Sequence, residues 1–339
     1  MSIALDATYS VGRDLSGVGV YSREILFGVS RAHPEERFSF YYRPHRFFRS
    51  FQDSLPANVR RKLLRGAPRE EVFHALNQRL DERARRTVST FHDLFVMTGE
   101  YSSAEFRARF STQARDAAER SDLIIAVSEF TAGQVEQLLG VERTRIRVIP
   151  HGVHVPDKVT TRTAEKLVLT VGAVQKRKNI AHLVKAFERM PEGWRLAIAG
   201  ANTGFGAADE LRAVEESPRR SEIDVLGYVR TAQLNDLYCR AGIFAFPSLD
   251  EGFGMPVLDA MAHGIPVVAS NRSAIPEVAG DAALLVDPES TEALEEAMLR
   301  LAAEGPLRTD LTRRGRERAL QFPWRAAVER TWAVYGELR

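Results

Sequence analysis

The sequence predicts an α/β protein built from two doubly wound parallel sheets in tandem. Three observations carry that expectation. Short β-branched or apolar runs alternate with longer stretches of helical period, the pattern of helices layered on parallel strands. The alternation stops near residue 150 and then starts again. The length, 339 residues, suits two domains of ordinary size, each long enough to bury a core.

In the first half, residues 3–7, 38–42, 72–75, 87–91, 123–127 and 146–149 read as strands. Most are rich in Val, Ile, Phe, Tyr or Thr, side chains that fit a pleated, buried surface. Between them, 18–30, 104–119 and 129–139 repeat apolar residues every three or four positions and read as amphipathic helices. Residues 150–163 hold Pro156, several threonines and little periodicity, which predicts an interdomain linker. The second half runs through strands at 167–171, 194–199, 223–225, 243–246, 266–269 and 283–286. Its helices are expected to start near Asn179, Ala207, Thr231, Pro256 and Thr291. Residues 307–321 and 324–338 read as two further helices, separated at Pro323. Ligands of doubly wound folds bind outside the carboxyl ends of the strands, so a cleft between two facing domains is the expected site.

Hydrophobic residues at 44% and charged residues at 27% exclude a disordered, collagen-like or fibrous chain. Cys239 is the one cysteine, which excludes an intramolecular disulfide and a cysteine-based metal cluster and fits a reducing compartment. The first ten residues lack the basic-then-apolar pattern of a secretory signal, and no window approaches the ~18–20 apolar residues of a spanning helix. A soluble cytoplasmic protein is expected, at most peripheral on the inner face of the cytoplasmic membrane. With 47 basic against 45 acidic residues, the net charge of +2 points to no nucleic-acid partner. The charge is uneven, however. Residues 37–65 carry Arg37, Arg43, Arg46, Arg49, Arg60, Arg61, Lys62 and Arg65 against one acid, Asp53, with Phe47, Phe48 and Phe51 interleaved. Such a stretch suits an anionic membrane surface or a lipid-linked acceptor; a solvated face over three core phenylalanines would read the same way.

The strongest local signal is Glu251-Gly252-Phe253-Gly254-Met255-Pro256-Val257-Leu258-Asp259, after a strand and at the opening of a helix. Its glycines let backbone approach a ligand, and Pro256 suits a first helical turn. The amides there form an anion site that fits a diphosphate, while Glu251 and Asp259 can flank the same ligand and accept from sugar hydroxyls. A tight turn with an acid complementing the helix dipole is the plainer alternative. The second signal is Gly172-Ala173-Val174-Gln175-Lys176-Arg177-Lys178-Asn179, where three consecutive cations at a strand-to-helix junction can neutralise phosphates. A solvated basic turn is its alternative. Ser16-Gly17-Val18-Gly19 is weaker, and Ser22 stands where a dinucleotide fingerprint needs a third glycine. His92-Asp93-Leu94 follows a strand end, a position that raises the odds of a functional over a structural histidine.

Together these motifs resemble the retaining, GT-B-fold glycosyltransferases of family four. The resemblance covers essentially the whole chain. It also takes in Asp6, Val127-Ser128-Glu129-Phe130-Thr131, Pro150-His151-Gly152-Val153, Leu226-Gly227-Tyr228-Val229, Gly280-Asp281-Ala282-Ala283 and Phe322-Pro323-Trp324. It implies an α/β GT-B fold with two Rossmann-like domains facing across a cleft: an acceptor-side domain over 1–155, a nucleotide-sugar domain over 164–322, and a final helix over 323–339 crossing back to the first. It implies Glu251 on the donor sugar, Asp259 on the ribose, and Arg177 and Lys178 on the diphosphate. The backbone of Gly254, Met255, Pro256 and Val257 would help, with Gly252 and Phe253 in the same loop. Tyr228 and Val229 would contact the base, Gly17 and Gly19 would face the phosphates, and His92 the sugar or the reacting region.

Three positions depart from the family pattern. Asp259 replaces a commoner Glu, Ala173 stands where many relatives place a phosphate-binding Arg, and His151 stands where Asn is commoner. His151 receives no role, and His263, just before Gly264, reads as a cation at a helix C-terminus.

The expected reaction is transfer of a sugar, mannose on GDP being the first choice and UDP-linked sugars the next, to a hydroxyl of a saccharide or lipid-linked acceptor in cell-surface polysaccharide or glycolipid synthesis. Retention is expected by front-face substitution. The chain contains no Asp-x-Asp, so no metal and no cofactor are expected; Arg177, Lys178 and helix amides would stabilise the leaving oxygen. A nucleotide-sugar 2-epimerase and a non-catalytic sugar-nucleotide-binding module are the alternatives.

Overall fold

The computed structural model describes residues 1–12, 15–81, 84–156 and 164–339; most of the expected linker, at 157–163, lies outside the described residues. The chain divides into two compact units. The first comprises Met1–Thr98, Ala104–Gly152 and Trp324–Arg339, the second Gly99–Ser103 and Val153–Pro323.

The first unit runs β1 (Ser2–Asp6), α1 (Gly17–Ala32), β2 (Arg37–Tyr42), α2 (Pro44–Phe47), β3 (Val59–Leu63), β4 (Val72–Ala75), β5 (Thr87–Phe91), α3 (Phe95–Thr98), α4 (Ala104–Arg120), β6 (Leu123–Ala126), α5 (Glu129–Leu139) and β7 (Ile146–Val148). The strands form one parallel sheet in the order β3-β2-β1-β4-β5-β6-β7. Local chemistry sets the helix ends. Ser16 accepts from the Gly19 N–H at 3.3 Å to start α1, and Ser128 accepts from the Thr131 N–H at 2.9 Å to start α5. Gly140, at φ 68°, ends α5 in the left-handed conformation that glycine adopts without strain. Alanines 114, 117 and 118 let α4 lie close to Phe73, Phe91 and Ile124 in the core. Strand β3 was not expected from the sequence. Its Val-Arg-Arg-Lys-Leu hides the apolar alternation because it is an edge strand, paired only to β2, where charged side chains reach water.

The second unit repeats the plan with β8 (Leu167–Val171), α6 (Ile180–Phe187), β9 (Arg195–Ala199), α7 (Ala207–Glu215), β10 (Ile223–Gly227), α8 (Thr231–Arg240), β11 (Ile243–Phe246), α9 (Met255–Ala262), β12 (Val267–Ser270), α10 (Ile275–Ala279), β13 (Leu284–Val286), α11 (Thr291–Ala303) and α12 (Gly305–Ala319). Its parallel sheet has the order β10-β9-β8-β11-β12-β13. Val168, Ile198, Ile243 and Val268 pack under Leu183, Phe187, Leu294 and Met298 to form the core. Both sheets reverse their direction of strand addition beside their first strand, at β1/β4 and at β8/β11. There the loops leaving two adjacent strands part to opposite faces and open a crevice.

The chain then enters α13 (Trp324–Gly336), which belongs to the first unit and packs on α1. Gly28 of α1 leaves the room for this contact, since a Cβ there would lie 2.3 Å from Val328. Tyr335 reaches through to bond the His74 ring at 2.7 Å.

The basic stretch 37–65 is less positive at the surface than its sequence implies. Arg43 is buried against Asp6, at 3.1 Å, and Asp81; Lys62 pairs with Glu70 at 2.6 Å. Arg61 is spent on the Ser50 and Asp53 carbonyls. Arg37, Arg49, Arg60 and Arg65 stay exposed. Phe47, Phe48 and Phe51 are not core residues. They form an edge-to-face cluster in which Phe48 is 82% and Phe51 61% exposed. No helix among the described residues is long and apolar enough to cross a membrane.

Candidate active site

The second sheet supplies a charged cluster at its reversal point. Gly172, at φ 149°, turns the chain out of β8, and a Cβ there would press on the Lys178 side chain at 3.1 Å. Gly200 closes the neighbouring strand end so tightly that a Cβ would sit 1.9 Å from the Gly172 carbonyl oxygen. Lys176–Lys178 form one turn of 3₁₀ helix, and Asn179 takes a left-handed conformation, φ 59°, before α6 begins. The buried Asn179 amide donates to the carbonyls of Pro247 (3.1 Å) and Pro288 (2.6 Å). It thereby ties three loops at the carboxyl edge to one another. The Leu249 N–H donates to the Arg177 carbonyl at 2.7 Å, which brings the basic turn against the loop leaving β11.

These ties converge on Glu251. Its Oε1 pairs with Lys178 Nζ and, at 2.7 Å, with Arg177 Nη1. Arg177 also donates to the Asp250 carbonyl at 2.9 Å, and Lys178 Nζ lies 4.6 Å from the centre of the Phe246 ring. The Glu251 N–H donates to Ser273 Oγ at 3.0 Å. Lys178 and Glu251 are buried, and the Arg177 side chain is only 12% exposed. Burial by itself would push the Glu251 carboxyl up. The two cations outweigh burial and hold it at about 2. Removing Glu251 would leave both cations buried without their counter-ion.

Beyond Glu251, Gly252 and Phe253 are buried, with Phe253 set edge-on to Phe322 at 6.0 Å. Gly254 caps α9 at φ 101°, and a Cβ there would come 2.5 Å from Ile275. Met255 opens the helix with Pro256 in its first turn, and the Val257 N–H turns back to the Gly254 carbonyl at 3.0 Å. A first turn of this kind aims backbone N–H groups and the positive dipole end outward. Asp259 lies one turn farther on; burial raises its carboxyl to about 7, with His154 opposing. Tyr228, 47% exposed, and half-buried Val229 follow Gly227 at the end of β10, along the same edge.

Two features of this unit were not legible in the sequence. His263 is not the helix-end cation expected from its position. Burial pushes its pKa down, its Nδ1 donates to the Asp259 carbonyl at 2.7 Å, and its ring stacks on Tyr238. Tyr101, carried by the short Gly99–Ser103 segment of this unit, feels the charges of Asp250, Arg272 and Arg177. No motif marks it.

In the first unit, Gly17 opens α1 and is exposed. Gly19 is buried, its N–H taken by Ser16, and a Cβ there would lie 2.9 Å from the Tyr9 carbonyl oxygen. Helix packing therefore accounts for Gly19. His92 is buried; its Nε2–H donates to the Leu76 carbonyl at 2.9 Å, which leaves Nδ1 to face His151 Nε2 at 3.4 Å. The two imidazoles lie parallel, 5.3 Å apart, with the Tyr21 ring edge-on to both. Burial holds His92 down at about 4, so it is neutral near pH 7. His151, given no role from sequence, is thus the partner that fills the His92 pocket. An open groove of about 590 Å³ lies at this sheet's own reversal point, lined by Tyr9, Ser16, Asn77, Gln78, Phe106 and Arg109 among others.

Comparison with known proteins fits this architecture. Residues 155–318 match the family described as glycosyl transferases group 1, and residues 23–155 match glycosyltransferase family 4. O-antigen chain mannosyltransferase B of Escherichia coli is 31% identical over 284 residues, covering 79% of this chain and 74% of that protein. A D-inositol 3-phosphate glycosyltransferase of Xylanimonas cellulosilytica is 31% identical over 238 residues, and this alignment spans only 57% of its length and 64% of this chain. Among solved structures, sucrose-phosphate synthase from Thermosynechococcus elongatus superposes with a TM-score of 0.80 at 21% identity, over 100% of this chain and 99% of that one. WaaG, a glycosyltransferase involved in lipopolysaccharide biosynthesis, gives 0.75 at 15% identity over 98% of both chains. Anabaena HepE in complex with UDP and glucose gives 0.77 at 15% identity, over 99% of this chain and 100% of that one. With two parallel Rossmann-like sheets, the cation–carboxylate cluster at the second reversal point and these matches to both halves, the chain belongs to the group 1 glycosyltransferases of GT-B fold.

Proposed function

We propose that this chain transfers a sugar from a nucleotide diphosphate to a hydroxyl of a saccharide or lipid-linked acceptor, with anomeric retention and no metal ion. The observation that carries the reading is the meeting of Arg177, Lys178 and Glu251 where the second sheet reverses. As the glycosidic bond to the diphosphate breaks, negative charge grows on the leaving oxygen. Arg177, Lys178 and the N–H groups at the start of α9 are fixed donors for that charge, and being preorganised they cost little reorganisation. Glu251 accepts hydroxyls of the donor sugar, Asp259 those of the ribose, and Tyr228 and Val229 flank the base. In the first unit Gly17 and His92 stay on the donor side, His92 by exchanging its contact with His151 for a sugar hydroxyl, while Gly19, its N–H taken by Ser16, drops out. The acceptor enters the groove lined by Asn77, Gln78 and Phe106, whose amides and aromatic face suit a sugar.

Mannose on GDP is the first donor to try, since the Escherichia coli relative is named a mannosyltransferase; the HepE complexes with UDP and UDP-glucose make UDP-sugars the second. Exposed Phe48 and Phe51 beside Arg46 and Arg49 support docking to an anionic membrane surface, in keeping with cell-surface polysaccharide or glycolipid synthesis. The test is a thermal-shift panel of nucleoside diphosphates and their sugars, followed by transfer of labelled sugar to an acceptor. A ligand at ~100 times its Kd adds about 2.7 kcal/mol of stability. Release of nucleoside diphosphate together with a labelled acceptor separates a transferase from an epimerase or a binding module. A panel without any shift overturns the reading.

A further inference from the structure

We propose that Glu251 is a specificity-determining residue that makes the site favour a sugar-bearing donor over the bare nucleoside diphosphate, because the carboxylate meant for the sugar already holds both phosphate-binding cations. The inference rests on the functional reading above and adds to it. In the unliganded protein, Lys178 Nζ and Arg177 Nη1 converge on one and the same oxygen, Oε1. The carboxylate therefore stands in for a phosphate and offsets one of the two positive charges that a diphosphate would seek.

A diphosphate entering the site competes with Glu251 for these cations. The carboxylate is then left buried, ionic and short of donors, a costly state. A ligand that ends at the diphosphate offers nothing in return. A ligand that carries a sugar supplies hydroxyl donors, and these can satisfy the released carboxylate. Glu251 thus penalises every diphosphate equally and refunds the penalty only when a sugar is attached. The same exchange favours the reaction cycle: once the sugar has left, Glu251 recaptures Arg177 and Lys178 and the nucleoside diphosphate departs. The backbone holds the carboxylate in position for the exchange, through the bond from the Glu251 N–H to Ser273 and that from the Ala274 N–H to the Glu251 carbonyl at 3.2 Å.

The experiment is calorimetric titration of wild type, Glu251→Gln and Glu251→Asp with GDP, UDP, inorganic pyrophosphate and the matching GDP- and UDP-sugars. For Glu251→Gln, which keeps the shape and removes the charge, nucleoside diphosphate and pyrophosphate should bind at least tenfold tighter than to wild type. Nucleotide-sugar affinity should gain less, so the preference for donor over product narrows by the ratio of the two gains. Glu251→Asp, with its charge drawn back by one methylene, should fall between the two. Asp259→Asn is the control: ribose is common to donor and product, so this change should weaken both and keep their ratio. Near-UV circular dichroism verifies folding, and Glu251→Asp carries the test if Glu251→Gln does not fold. Equal or weaker nucleoside diphosphate binding in both folded Glu251 variants overturns the inference while the functional reading stands. Failure of wild type to bind any nucleoside diphosphate overturns both.

Discussion

The two units repeat one strand plan yet differ in the polar chemistry that dominates their interiors. In the second unit the buried groups are ions, Arg177 and Lys178 against Glu251. In the first, beside the buried Arg43–Asp6 pair, a network of neutral rings and hydroxyls fills the interior. His74 bridges Thr90, at 2.8 Å, to Tyr335, Tyr21 adds a 3.0 Å bond to the same threonine, and His92 faces His151. Burial holds the His74 ring down at about 3, His92 at about 4, and His151 well below its ordinary value. The neutral network fastens α13 to the sheet beneath it. The ionic cluster carries far more buried charge than a turn needs for stability, because well-packed apolar side chains would do that work as well. Where a fold buries charge it does not need for packing, ligand chemistry is the natural account.

The largest expected effect falls on the ionic side. Lys178→Ala should lower turnover at saturating donor by ~10²-fold or more, the scale seen when a preorganised donor to developing charge is lost. Turnover near that of wild type, in a protein with an unchanged near-UV spectrum, would sink the assignment. The neutral side should show itself in acid. A histidine whose pKa is depressed by folding binds its proton only in the unfolded state between the folded value and about 6.5, so stability must fall as pH drops through that window. Between pH 6.5 and about 4, each such histidine should cost about 1.4 kcal/mol per pH unit, read as a falling urea midpoint. His74→Gln should flatten the slope; an identical slope would place the proton uptake elsewhere.

A smaller pH effect sharpens the contrast within the second unit. In the ribose-binding role proposed for it, Asp259, held at about 7, accepts two hydroxyls only when ionised. Donor affinity should therefore weaken as pH falls through 7, by at most about tenfold per unit. The Asp259→Asn variant should bind more weakly and without that pH dependence. The smallest effect on stability belongs to the surface aromatics. Phe48→Ser with Phe51→Ser should shift the melting free energy by no more than about 0.5 kcal/mol. The pair should nonetheless lose sedimentation with anionic, low-salt vesicles; unchanged sedimentation would remove the membrane proposal.

Much of the architecture was legible in the linear chain. Helix α5 begins at Glu129 and ends at Leu139, as its Ser128 cap and Gly140 stop require, and strands β4, β5, β8 and β11 span the residues their apolar runs mark. Strand β3 was lost because an edge position lets Arg60, Arg61 and Lys62 stand in a strand without an apolar pattern. Helix α10 was lost because five residues are too few to show a period. In the site, the motif residues Arg177, Lys178, Glu251 and Asp259 stood out through charge and glycine spacing. Tyr101, Ser273, Asn179 as a three-loop tie, and His151 as the partner of His92 carried no comparable signal.

The sequence by itself determined the α/β class, the order of most elements and the chemical kinds gathered at the strand ends, because periodicity, caps and glycines act over a few residues. Only the tertiary structure decided that Lys178, 73 residues away, and its neighbour Arg177 share one oxygen of Glu251, and that His74, His92 and His151 are buried and neutral. It likewise turned Phe48 and Phe51 outward and spent Arg43 in the interior. Charge state and exposure depend on which distant groups surround a side chain and how much water they remove, and no local pattern encodes that neighbourhood.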